Sequence, residues 1–112
     1  MKASGEWQAE YQHELEHGRE ARQAGNEGKA RVCARRAAGI TAGEYLRRRG
    51  ELTEAWSAYQ RLQALGHSPN LPARAVEIIS HLTTRVDSEH RLPIEVDLLA
   101  EVKELHSILL GD

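Results

Sequence analysis

Lys29 to Gly50 reads KARVCARRAAGITAGEYLRRRG. Alanine recurs at positions 30, 34, 37, 38 and 42, and no proline interrupts the run. Alanine is the strongest helix former, so this stretch predicts a helix from about Lys29 to Arg49. Ala30, Ala34, Ala37, Thr41 and Tyr45 fall on one stripe, and Cys33, Ala38, Ile40 and Ala42 widen the apolar surface. Small side chains on both sides let neighbouring helices approach closely, as in a bundle. Arg47, Arg48 and Arg49 occupy the last turn, where positive charge meets the negative end of the helix dipole. Gly50 stops the helix.

The same period runs outward in both directions. Before this helix, Trp7, Tyr11, Leu15, Gly18 and Ala21 are spaced four, four, three and three apart, which makes one apolar stripe. Ser4 is its expected N-cap, and Gly25 or Asn26 its expected end. After it, a third segment is expected from Thr53, with Ala55, Tyr59 and Leu62 as its stripe, Trp56 and Leu65 beside them, and Gly66 as its stop. The linker GHSPNLP holds two prolines and reads as a loop. A fourth helix is expected from Leu71 or Pro72, with Ala75, Ile78, Ile79 and Leu82 facing the core. A last helix is expected from about Pro93 to Leu110, with Leu98, Val102, Leu105 and Leu109 inward. Short connections favour antiparallel neighbours. The expectation is all-α: an up-and-down four-helix bundle with an additional short helix, forming one domain over residues 1–112.

Composition supports this and narrows function. The chain has 112 residues and no Phe, with two Trp and three Tyr, which argues against a sheet. A formal charge of −2 provides no net basic field for nucleic acid. MKASGEWQAEYQHELEHG has no apolar core of the secretory kind, and no run approaches the roughly 20 apolar residues of a membrane span. A cytoplasmic protein without membrane contact is expected. The single cysteine, Cys33, reads as a small buried apolar residue.

Three groups of residues invite a chemical reading. HELEH, His13 to His17, fits the H-E-x-x-H pattern of zinc proteases. A catalytic zinc takes three protein ligands, yet no third histidine follows at family spacing, and both histidines lie off the apolar stripe. No metal ligand set and no cofactor is assigned, and the pair reads as a solvated face. Six arginines on the second helix, with Arg31, Arg35 and Arg36 as the first group, have the geometry to bind phosphate. His67, His81 and His106 read as a loop residue, a helix-surface residue and a final-helix residue without ligand roles. The third group is RVDSEH, in which Arg85 and His90 stand five apart.

Together these stretches resemble a known family. An opening helix with Trp7 and Ala21, a Gly-Asn turn, ARRAAGITAGEYLRRRG, ALGHSPNL, a helix ending in HLTTR and a final Leu- and Glu-rich helix are similar to the HEPN proteins. The resemblance covers most of the chain. It implies a four-helix bundle with a short extra helix, usually a homodimer. One branch of the family cleaves RNA through an Arg-x-x-x-x-His motif, which Arg85 and His90 match. There the Arg stabilises phosphate charge and the His moves a proton. The other branch is non-catalytic, accompanies nucleotidyltransferases and binds nucleotides or other substrates. The leading expectation is a non-enzymatic HEPN-like binding module with a nucleotide, RNA or protein partner. The alternatives are a ribonuclease using Arg85 and His90, and a tetratricopeptide-like adaptor. The adaptor reading rests on a loose echo between GNEGKARVCARRAAG and RGELTEAWSAYQRLQALG.

Overall fold

A computed structural model describes residues 5–85, 88 and 91–111. Among these residues the chain forms five helices and no strand, as the periodicity predicts. They are α1 (Glu6–Gln23), α2 (Glu27–Arg48), α3 (Ala58–Gly66), α4 (Ala73–Leu82) and α5 (Leu98–Leu110). The shortest, α3, is the additional helix of an all-α bundle.

The Ala-rich helix is the centre. α2 packs against each of the other four helices, most extensively α1, whereas α1 has no packing against α3 or α4. Its residues are buried on more than one side: Ala30, Cys33, Ala34, Ala37, Ala38, Gly39, Thr41, Ala42, Gly43, Glu44 and Leu46. The large core side chains come mostly from the helices around it. They include Leu15, Leu62, Leu65, Ile78, Leu82, Leu98, Val102 and Leu105. A smooth central helix receiving branched side chains from its neighbours is how the chain fills a core without phenylalanine.

Helix ends follow local chemistry. Gly25 takes φ +80°, and Asn26 N–H donates to Ala21 O at 2.7 Å while Gly25 N–H donates to Arg22 O. This paired closure needs a left-handed residue, which glycine adopts without a Cβ clash. Asn26 then begins α2, its side chain accepting from Lys29 N–H at 3.0 Å. The expected cap of α1, Ser4, lies outside the described residues, and Gly5 stands at the N-cap.

Two starts differ from the sequence reading. α3 begins at Ala58, not near Thr53, because Ser57 and Gln60 form a reciprocal capping box. Thr53 to Trp56 instead closes a turn through Trp56 N–H to Thr53 O. Ala55 is exposed and Tyr59 lies toward the rim, so the buried stripe of α3 reduces to Leu62 and Leu65. α5 begins at Leu98, not Pro93, because Asp97 accepts the Ala100 N–H at 3.1 Å.

The closest backbone approach to α2 is at Gly39. A methyl group there would lie 2.5 Å from the Cβ and 2.8 Å from the Cα of Ala58, the first residue of α3. Gly39→Ala is therefore expected to lower stability by about 1–3 kcal/mol in chemical denaturation. Gly28→Ala, whose nearest outside atom is 3.8 Å away, is expected to be neutral or stabilising by up to about 1 kcal/mol.

Candidate functional site

The arginines of α2 are largely engaged inside the molecule. Arg35 reaches α4, donating from Nε to Leu82 O at 2.9 Å and from Nη2 to Thr84 O at 3.0 Å. Those carbonyls sit at the C-terminal end of α4, where the helix leaves acceptors unfilled. Burial and then the charge of Arg31 lower the Arg35 pKa from its ordinary value. Arg36 is exposed, one residue further round the helix. The expected ligand set of Arg31, Arg35 and Arg36 is thus divided, because Arg35 is a clamp between helices.

At the other end of α2, Arg47 and Arg48 both bind Glu44, at 2.7 and 2.8 Å. Glu44 is buried, and its hydrogen bond from Arg47 leads the interactions that hold its carboxyl below the usual range. Arg48 also lies 6.0 Å from the Trp7 ring centroid, and Arg49 pairs with Glu51. His106 stacks on Tyr11 at 4.4 Å and lies 5.8 Å from Trp7. The arginine-rich end is therefore an aromatic and ion-paired seam joining α1, α2 and α5.

A second polar seam, between α4 and α5, was not legible beforehand. His81, expected on the surface, is half-buried with Nδ1 2.7 Å from Glu101 Oε1. Arg74 lies 3.4 Å from the same carboxylate and binds Glu77 and Glu104 at 2.8 Å. Glu101 is buried because it falls beside Leu98, Val102 and Leu105 on the inward face of α5. A charged residue so close to an apolar stripe was the available signal. Hydrogen bonds from Arg74 lower the Glu104 pKa and raise that of Arg74.

Between them, α3 and α4 leave an open groove of about 360 Å³. Tyr59, Leu62, Gln63, Gly66, His67, Ile79 and Thr83 line it. The Arg85 guanidinium lies 5.8 Å from the centroid of the Tyr59 ring, at the rim. Arg35 positions this rim, because it holds Thr84, the residue before Arg85. His90, the other half of the expected catalytic pair, lies outside the described residues. His67, expected in a loop, ends α3 as its C-cap and borders the groove.

Cys33 is buried as expected, and burial followed by the nearby Glu14 carboxylate pushes its thiol pKa up. Its chemistry is that of a packing residue and not of a nucleophile. His13 and His17 are exposed, with ring centroids 4.0 Å apart. Among the described residues no group of three His, Cys, Asp or Glu side chains is placed to hold a metal, and no helix is long and apolar enough to cross a membrane. No family model, curated protein or solved structure matches the chain.

Arg35→Met keeps the side-chain stem and removes both bonds to α4. It is expected to cost about 1–3 kcal/mol in denaturant unfolding. Glu44, Glu104 and Asp97 share a further expectation. Burial opposes charge on Asp97, but the Ala100 N–H and Arg22 prevail, so its pKa is also lowered. Carboxyls with depressed folded-state values stabilise the protein above their unfolded pKa, and that contribution is lost as pH falls through the folded value. The urea midpoint is expected to hold from about pH 7 to 5 and to fall below about pH 4. A midpoint unchanged down to pH 3 contradicts this.

Proposed function

We propose that the chain is a non-enzymatic, HEPN-like helical binding module whose ligand site is the α3–α4 groove, and that its ligand is a nucleotide. The observation that carries this is the placement of Arg85 over the Tyr59 ring at the groove's rim. An aromatic face offers stacking to a base. A guanidinium offers charge and paired N–H donors to a phosphate. The groove volume falls within the range of small-ligand sites. Gln63, Thr83 and His67 add polar groups to its lining, of the kind that orient a base or a sugar.

The packing supports a single module over a repeat adaptor. Tetratricopeptide arrays stack each helix pair on the next, whereas here one helix touches all the others and α1 meets neither α3 nor α4. The proposal includes a homodimer and a nucleotidyltransferase partner, both implied by the family resemblance, and a cytoplasmic location, which rests on the sequence reading alone. The ribonuclease alternative rests on Arg85 and His90 and is tested by RNA cleavage with and without His90→Ala.

The melting temperature with and without millimolar ATP tests the nucleotide reading. A ligand that binds only the folded state adds roughly 2.7 kcal/mol at a hundred times its dissociation constant. A rise is expected for the wild type, and it should vanish in Tyr59→Ala and Arg85→Ala. No rise, or a rise that both variants retain, overturns the assignment of the groove.

A further inference from the structure

The solvent side of α1 carries a second ordered feature, remote in kind from the groove. Its buried stripe is Tyr11, Leu15, Gly18 and Ala21. On the far side stand Glu6, Glu10, His13, His17 and Glu20, all exposed. At 3.6 residues per turn these five fall within an arc of about 80°. No Lys or Arg of α1 falls in that arc. Arg19 and Arg22 lie on other faces and pair with Glu16, and with Glu27 and Asp97.

The two imidazoles at the middle of this stripe are already together. Their centroids are 4.0 Å apart and their planes meet at 56°. A metal ion bound to two imidazole nitrogens at about 2.0–2.1 Å holds those nitrogens roughly 3 Å apart. Rings this close reach that spacing by side-chain rotation alone, without moving the helix. The helix itself is anchored along its opposite face, so the pair stays on a fixed i, i+4 frame. The chain's other described histidines are placed otherwise: His81 against Glu101, His106 between Trp7 and Tyr11, and His67 at the groove.

We propose that His13 and His17 form a two-imidazole chelate for a late first-row divalent cation. Copper(II) binds most tightly, with nickel(II) and zinc(II) behind it, following the usual order for nitrogen donors. Water completes the coordination, since among the described residues no third protein ligand converges there. Glu20, one turn beyond His17, adds a nearby negative charge that favours the cation. The site differs from the zinc-protease reading of HELEH, which needs a third protein ligand and a walled substrate cleft. Its consequence is linkage. The chelate exists only while α1 is helical, so metal binding stabilises the folded chain.

The full chain is titrated with copper(II) chloride in a buffer that does not chelate, by calorimetry and by thermal unfolding. The expected result is one saturable equivalent and a rise in Tm that EDTA reverses. His13→Gln and His17→Gln should each weaken copper binding about tenfold or more. Both variants should melt like the wild type without metal, because both side chains are exposed. Absence of saturable uptake overturns the proposal. So does uptake that both variants retain, which marks an adventitious ion only.

Discussion

Close approach to one helix is the constraint on which the molecule depends. Over most of its buried surface, from Ala30 to Gly43, α2 presents alanine, glycine, a cysteine and a threonine, and Leu46 is its one buried leucine. Each large side chain buried against it contributes about 1.5–3 kcal/mol, but only if no Cβ stands in the way. Gly39 against Ala58 and Gly18 against Leu99 and Cys33 are two points where an added Cβ would collide. The first joins α2 to α3, and the second joins α1 to α2 and α5. The bundle is therefore organised around one narrow rod, with four helices laid on its surface.

A small rod leaves polar groups little room, and the charges of α2 are resolved near its middle and at its C-terminal end. Near its middle, Arg35 crosses to the carbonyls that end α4. At its C-terminus, Glu44 is buried under Arg47 and Arg48. The α4–α5 contact carries its own polar seam through His81, Glu101 and Arg74. These bonds fix the direction of α4 and of the backbone that leads to Arg85. The groove beside Tyr59 lies between α3 and α4, lined from both helices.

Much of this was readable from residue order. The helices, their inward stripes and the capping role of Gly25 follow from period and turn chemistry, which act locally. The starts of α3 and α5 lie later than the sequence suggests because Thr53 and Pro93 are acceptable helix openers in isolation. Ser57 with Gln60, and Asp97 with Ala100, are better ones, since each fills an otherwise unpaired N–H. The site was harder to read. A cluster of arginines looks the same in sequence whether it faces a ligand or a neighbouring helix. Arg35 meets partners 47 and 49 positions away, a distance that no periodicity encodes. The Tyr59–Arg85 pairing is likewise a product of how α4 lies on α3, and the His81–Glu101 contact depends on how α5 packs on α4.

Native-state hydrogen exchange tests the central claim most directly. If α2 is the hub, its inner amides from Ala34 to Ala42 exchange only through global unfolding and are the slowest in the chain, while α3 opens earlier. If the centre of α2 exchanges faster than α4 or α5, those helices form the stable unit and the account of α2 as organiser is wrong.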